Sequence, residues 1–298
     1  VGLTRHIEVK LGSKDAVIVL YFNKIRLTVR CVQSILDAGY SPGQVYCFDN
    51  GSKPENSAGL REIFPGVQHA GVEKNHGFSG GFNRALSWVF LSSSISSALF
   101  CTNDTVAHGH ELEECMQTSQ TTGAGMVAPC ITYLSHPGSI DSIGAYVDFE
   151  NCTIHHYHDR DLPLILEPGK EYIPGTALWI HRDAFKDLGG ADESYHTYWE
   201  DVDLSFRAHQ KNIPLARCYK AVIGHGVGQT CHKKPLYTTF YFQRNRIRFY
   251  KRFLSGEMLA NGLRRIQREL LESGARWREK GDKKRIDYLQ QLLDELKK

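Results

Sequence analysis

Residues 195–210 read YHTYWEDVDLSFRAHQ, and Glu200, Asp201 and Asp203 crowd three carboxylates into four positions ahead of Leu204 and Phe206. A carboxylate beside a cleft can take a proton from an attacking hydroxyl, which is the work of a general base. Acids at the start of a helix also favour its dipole, and Asp203 stands four residues before Arg207, the spacing of a helical ion pair. That pairing accounts for Asp203 and predicts that it tolerates replacement. It leaves Glu200 and Asp201 as the pair with chemistry to assign.

Other polar residues gather where short apolar runs end. Asn23 follows AVIVLYF, Asp49-Asn50-Gly51-Ser52 closes QVYCFDN, and Asn103-Asp104-Thr105 closes SSALFCT. Each can serve as a turn former or helix cap. A single Asp at a strand end can also hold Mg2+ or Mn2+ through one carboxylate, with phosphate oxygens and waters completing the shell. The run NHGFSGGFNRAL puts Gly77, Gly80 and Gly81 at the start of a predicted helix, where free N–H groups suit a phosphate and glycine permits close backbone approach. It matches neither the dinucleotide fingerprint nor the phosphate loop, so a tight helix–sheet contact also explains the glycines. In YFQRNRIRFYKR, Arg244, Arg248 and Arg252 recur at helical spacing, a face that either binds an anion or is solvated.

The hydrophobic pattern supplies the elements that must hold these residues. AVIVLYF reads as a strand, RLTVRCVQSILDAG as a helix ending at Gly39, QVYCFDN as a strand, NSAGLREIF as a helix and VQHAGV as a strand. That βαβαβ rhythm predicts an α/β fold, a mostly parallel central sheet flanked by helices, with ligands at the carboxyl ends of the strands. Between Ile131 and Pro174, a turn at Pro137-Gly138 and the runs IGAYVDF and CTIHHYHDRDLP predict a hairpin and irregular loops, after which IPGTALWIHRDAF returns to strand and helix. From Thr238 the chain reads as helical. Leu259, Leu263, Ile266 and Leu270 form one stripe and Ile286, Leu289, Leu293 and Leu296 another, with Ser273-Gly274 and Gly281 breaking the tail into a helical hairpin. The expected organisation is one unit over 1–253 and a basic amphipathic helical extension over 254–298.

Hydrophobic residues make up 41% of the 298 and charged residues 23%, globular proportions that exclude a disordered or fibrous chain. No apolar run approaches the roughly 20 residues of a membrane span. VGLTRHIEVKLGSKD has no apolar signal segment ahead of its charges, so a cytoplasmic location is expected. Eight cysteines without a CxxC pair read as reduced thiols of such a compartment. From Lys251 onward, 13 Lys and Arg face 8 Asp and Glu, so a basic tail follows a nearly neutral body. Such a tail suits peripheral contact with anionic lipid at the inner face of a membrane, self-association, or packing against the body. Nucleic acid is not an expected partner, because the basic residues are not interleaved with stacking aromatics.

Taken in order, CFDNGS, NHGFSGGFN, TNDT, PGTALWIHRDAFKDLGGADE, WEDVDLSFRA and GHGVGQT resemble glycosyltransferase family 2, especially its rhamnosyltransferase-like bacterial members, over about residues 15–253. The resemblance implies a GT-A (Rossmann-like) fold, a nucleoside-diphosphate sugar donor and inversion at the anomeric carbon. It implies that Asp49 meets the nucleotide base with Phe22 and Asn23 nearby, and that Asn75, the Gly80-Gly81 turn and Asn103 add donor contacts. Asp104 resembles the metal-binding member of the family's DXD-type motif. Because Thr102-Asn103-Asp104-Thr105 departs from a strict DXD, the expectation of Mn2+ or Mg2+ rests mainly on Asp104. Glu200-Asp201 matches the family's acidic pair, Asp201 as base and Glu200 as its acceptor-positioning neighbour. His225 matches a later His near the metal or diphosphate, or is an ordinary buried His, and Arg244-Asn245 matches a pair that contacts the donor. The implied donor is dTDP-rhamnose or a UDP-hexose. The implied acceptor is a hydroxyl of a glycan or lipid-linked carrier in bacterial surface polysaccharide assembly.

HHYHD offers His155, His156, His158 and Asp159, but zinc ligands usually come from separated segments, so the run reads as a surface loop lining the acceptor cleft. A nucleotidyltransferase would use a similar sheet and metal, yet it needs a glycine-rich basic loop after the first strand, and YFNKIRLT has no glycine. A catalytically silent nucleotide-sugar-binding or scaffold module would have no need of Asp49, Asp104 and Glu200-Asp201 together.

Overall fold

The computed structural model describes residues 15–136, 138–226 and 235–297. The N-terminal run, Pro137 of the predicted turn, the last four residues of GHGVGQT and Cys231 lie outside the described residues. The first half alternates as the pattern predicts: β1 (Asp15–Tyr21), α1 (Ile25–Asp37), β2 (Val45–Asn50), α2 (Pro54–Ile63), β3 (Gln68–Val72), α3 (Gly77–Val89) and β4 (Ser97–Thr102). β3, β2, β1 and β4 lie side by side in parallel. Successive β1 residues go to opposite faces. Val17, Val19 and Tyr21 join a core with Cys31, Val32 and Ile35 of α1, while Ala16, Ile18 and Leu20 join another with Phe82, Ala85 and Leu86 of α3. A strand covered on both faces needs an unbroken apolar run, which AVIVL provides.

The chain continues through β5 (Thr105–Ala107), α4 (Glu111–Thr122), β6 (Met126–Tyr133), β7 (Ile140–Ser142), β8 (Ala145–Asp148), β9 (Thr153–His156), β10 (Glu171–Tyr172) and β11 (Ala177–His181). Then come α5 (Arg182–Leu188), α6 (Glu200–Gln210), β12 (Leu215–His225), α7 (Pro235–Phe253), α8 (Gly256–Glu279) and α9 (Lys283–Lys297). Beyond β4 the sheet runs β11, β6, β12, β5, with β7 also on β6. β11 is antiparallel to both β4 and β6, and β12 is parallel to β6. The ends of β1, β2, β3, β4, β6 and β12 therefore open on one edge of the sheet.

A bulge delivers His225 to that edge. The register of β12 against β6 jumps between Cys218 and Val222, and beyond it His225 lies opposite Tyr133 on β6 and Thr105 on β5. Extra residues in one strand re-aim the side chains beyond them.

CTIHHYHDRDLP is more regular than its composition predicts. β8 and β9 form an antiparallel hairpin joined by β10 in a second, three-stranded sheet, so Thr153–His156 are strand rather than loop. Tyr146 stacks on His155 across the hairpin with ring centroids 5.2 Å apart, a contact between cross-strand partners that short-range sequence patterns do not reveal. Fully buried Arg217 on β12 ties this small sheet to the large one, donating to the Ile143 carbonyl at 3.1 Å and pairing with Glu171 at 2.9 Å.

The C-terminal helices join the body in a third apolar cluster. Ile266, Leu270, Leu289 and Leu292 pack in it with Tyr195, Trp199, Phe206 and Tyr250. The predicted break at Ser273-Gly274 is absent, because α8 runs on to Glu279. A Cβ at Gly274 would stand 2.2 Å from Leu289 Cδ2, so this glycine lets α9 approach rather than ending a helix. The turn comes at Gly281, where φ is 64°. Among the described residues no helix is long and apolar enough to cross a membrane. The seven described cysteines are buried free thiols.

Candidate active site

α6 starts at Glu200, as predicted, and the backbone leading into it is strained. His196, Tyr198 and Trp199 have φ of 65°, 67° and 72°. Each such non-glycine conformation costs on the order of 1–3 kcal/mol unless the surroundings enforce it. Asn245, fully buried on α7, supplies the enforcement: its Nδ2 lies 2.8, 2.7 and 2.7 Å from the carbonyls of Tyr195, Thr197 and Tyr198. Arg244 donates to the carbonyls of Ser194 and Tyr195, both at 2.9 Å, and lies 4.6 Å over the Tyr241 ring. Arg244 and Asn245, expected at the donor, are thus turned onto the loop that presents the acids. Arg244 Nη2 and Asn245 Nδ2 are thereby engaged by backbone carbonyls of that loop.

Asp201 is gripped from both sides, its Oδ2 accepting from Gly175 N and its Oδ1 from Val202 N, each at 2.9 Å. Burial raises its pKa above the ordinary carboxylate range, while those N–H groups and the nearby His156 act in the opposite direction. Glu200 is buried, and its Oε2 has no hydrogen-bond partner among the described residues. Burial and the adjacent Asp201 push its pKa well above the usual value, favouring the neutral acid. Asp203 pairs with Arg207 at 2.7 Å, as the spacing predicts. It is also fully buried and receives Arg252 from α7 at 2.8 Å, so a residue expected to tolerate replacement in fact ties two helices together.

Asp104, just past β4, accepts the Thr102 hydroxyl at 2.7 Å. The β5–β12 register brings His225 beside it, with Nε2 3.8 Å from Asp104 Oδ1. The other ring nitrogen, Nδ1, lies 3.0 Å from Oδ2 of Asp141 on β7. Burial alone would lower the pKa of His225, but Asp104 and Asp141 raise it to about 9. Burial would likewise raise Asp141, yet hydrogen bonds from His225 and Tyr133 hold it below the ordinary Asp value.

Asp104 and His225 fit a divalent ion: a carboxylate oxygen and an imidazole nitrogen 3.8 Å apart can both reach one cation at bond lengths of about 2 Å. Among the described residues no three His, Cys, Asp or Glu surround a common position, so the remaining ligands would have to come from a bound molecule and water.

The donor-side residues divide into two groups. Asp49, Phe22 and Asn23 meet at the ends of β1 and β2. Asp49 accepts from Ser52 N at 2.8 Å and from the Ser57 hydroxyl, and Phe22 is 36% exposed. Asn23 accepts from Lys53 N and Asn56 Nδ2, each at 3.0 Å, joining the two loops. Asn75 accepts from Gly77 N at 2.7 Å. Asn103 is buried and donates to Thr28 on α1 at 2.9 Å, so its side chain turns into the body. Gly80 and Gly81 lie inside α3 rather than in a turn, and a Cβ there would stand 2.6 Å from His76 Cβ and 2.7 Å from Asn50 Nδ2 respectively. Gly81 serves the helix–sheet contact, and Gly80 makes room for His76 and Glu193. Asn50, not singled out in the sequence, fastens the start of α3 by accepting from His76 N at 3.1 Å and donating to the Gly77 carbonyl at 2.7 Å.

Two further residues border the site. His156 Nδ1 lies 4.0 Å from Asp141 Oδ1. HHYHD has the composition of a loop, but on a strand His155 and His156 take opposite faces, and His155 goes instead to Asp148 at 3.8 Å. Asp141 carries no motif in SIDSIG, and only the fold reveals it.

A family model described as glycosyltransferase like family 2 matches residues 15–250. The chain is 24% identical over 204 residues to the low-salt glycan biosynthesis hexosyltransferase Agl10 of Haloferax volcanii, covering 65% of this chain and 61% of that protein. Among solved structures, the mannosyltransferase PcManGT from Pyrobaculum calidifontis in complex with GDP-Man and Mn2+ superposes with a TM-score of 0.57 at 13% identity, over 88% of this chain and 75% of that one. S. aureus TarS in complex with UDP gives 0.53 at 14% identity, over 86% of this chain and 70% of the other. At these identities the likeness is one of fold, and that fold is GT-A.

Proposed function

The chain belongs to glycosyltransferase family 2, and from that membership we propose that it moves a hexose from a nucleoside-diphosphate sugar to a hydroxyl of a glycan or lipid-linked acceptor, with inversion at the anomeric carbon. The observation that carries this reading is a hydrogen-bonded path joining the two acids: Asp201 accepts from Gly175 N, the next residue, Thr176, accepts from Thr102 N, and the Thr102 hydroxyl donates to Asp104 beside His225. A residue pair suited to a diphosphate-bound cation and a carboxylate suited to proton abstraction thereby stand at the two ends of one hydrogen-bonded segment. The acceptor hydroxyl gives its proton to Asp201 as its oxygen bonds to C1. The C1–O bond to the diphosphate breaks, and its electron pair leaves on the nucleoside diphosphate. Glu200, buried with Oε2 unpartnered among the described residues, orients the acceptor. Mn2+ or Mg2+, held by Asp104 and His225, would supply positive charge for the departing diphosphate. Asp49, Phe22 and Asn23 receive the base.

A hexosyl donor is supported by the Haloferax relative, and dTDP-rhamnose or a UDP-hexose heads the panel to be tried. Residues 1–253 form the transfer unit in this reading, and the basic helices beyond them face a membrane carrying the acceptor or a second copy. Calorimetry against UDP-, GDP- and dTDP-sugars, with and without Mn2+, identifies the donor. Donor hydrolysis and transfer are then compared in wild type and Asp201→Asn. Turnover in wild type and its loss in the variant are expected; equal, negligible turnover in both with donor binding intact would leave only a nucleotide-sugar-binding module.

A further inference from the structure

We propose that Asp141 is a positioning residue of the metal site, holding His225 through Nδ1 so that Nε2 presents its lone pair toward Asp104. The inference rests on the reading of Asp104 and His225 as metal ligands. A neutral imidazole carries a proton on one ring nitrogen and a lone pair on the other. The Asp141 carboxylate, 3.0 Å from Nδ1, accepts a hydrogen bond and so demands the proton there. Nε2, 3.8 Å from Asp104 Oδ1, is left as the nitrogen able to bind an ion. The two carboxylates address opposite sides of the ring, so Asp141 orients the ligand rather than joining Asp104 around the cation. Such outer carboxylates fix the tautomer and raise the basicity of a metal-bound histidine.

The fold enforces the arrangement from three segments. Asp104 sits in the turn between β4 and β5, His225 ends the bulged β12, and Asp141 lies on β7. Asp141 is 8% exposed, and the Tyr133 hydroxyl from β6 and His156 from β9 confine it further. A carboxylate buried among a histidine, a tyrosine hydroxyl and a second histidine has little freedom to turn away from Nδ1.

The test is Mn2+ binding to the whole chain by electron paramagnetic resonance, in wild type, Asp141→Asn and Asp104→Asn. Asp141→Asn is expected to weaken Mn2+ binding by roughly 10–100-fold, as loss of an outer partner does. The metal-free protein should melt a few degrees lower near neutral pH, where Asp141 pairs with protonated His225, and saturating Mn2+ should restore kcat for transfer, which a general packing defect would not permit. Affinity within twofold of wild type, measured while Asp104→Asn loses the ion, overturns the role of Asp141. Asp104→Asn binding as wild type does overturns the metal reading beneath it. Should the Asp141 variant fail to fold, 15N NMR of His225 in the wild-type chain with Zn2+ as diamagnetic probe decides. Protonated Nδ1 and metal-bound Nε2 are expected, and the reverse tautomer overturns the proposal.

Discussion

Asp201 combines two properties that a base needs: fixed position, from two backbone N–H groups, and a raised proton affinity, from burial. Asp201→Asn preserves the shape and removes the proton acceptor. Transfer should fall by roughly 10²–10⁴-fold with donor Kd nearly unchanged, read by steady-state kinetics and calorimetry. Because the carboxyl titrates above the ordinary Asp value, the acid limb of kcat/KM should also lie above it, activity being lost as pH falls through the raised pKa. His225 makes an opposite statement about stability. Its folded-state pKa of about 9 exceeds the ordinary 6.5, so in the metal-free protein its contribution is complete below pH 6.5 and disappears as pH rises through 9. The shift corresponds to a contribution on the order of 3 kcal/mol. With a chelator present, wild type should exceed His225→Gln in melting temperature at pH 6 and lose that advantage by pH 10.

At the scale of elements, α7 decides how the acids are presented. Asn245→Ala strips three carbonyls of their donor and releases the positive-φ residues ahead of α6. A drop in kcat of at least about tenfold is expected, with donor affinity retained, because Asn245 touches the loop ahead of α6 and not the ends of β1 and β2, where the base is proposed to bind. Asp203 binds the same two helices from the other side. Its replacement by Asn removes the charge that buried Arg207 and half-exposed Arg252 share, and chemical denaturation should show a loss of about 1–2 kcal/mol. kcat of the folded variant should stay close to wild type, which separates this acid from its neighbour Asp201.

For the molecule as a whole, the basic extension is part of the folded body. α8 packs on fully buried Tyr250, whose ring would stand 2.8 Å from a Cβ at Gly262, so a chain ending at Phe253 should expose it and aggregate or melt earlier, as sedimentation and thermal unfolding would report. Liposome flotation is therefore better done on the full chain with exposed tail lysines replaced, such as Lys280 and Lys283, than on a truncation. Undiminished flotation of that variant would argue against those lysines as the lipid contact.

Periodicity and spacing determined a good deal of this protein by themselves. AVIVLYF reads as a strand and forms one, EDVDLSFRA reads as a helix with acids in its first turn and forms one, and Asp203–Arg207 follows from the helical repeat. These are local consequences of how side chains alternate on strands and recur on helices. The tertiary structure alone decided which side chains remain free for chemistry. Arg244, Asn245, Asn103, Gly80 and Gly81 all carry plausible ligand chemistry, yet neighbours distant in sequence engage or pack against them. Asp141 and His156 enter for the same reason in reverse. The β12 bulge and the β8–β9 hairpin set their positions, and strand register is a property of pairing between segments that no single segment contains.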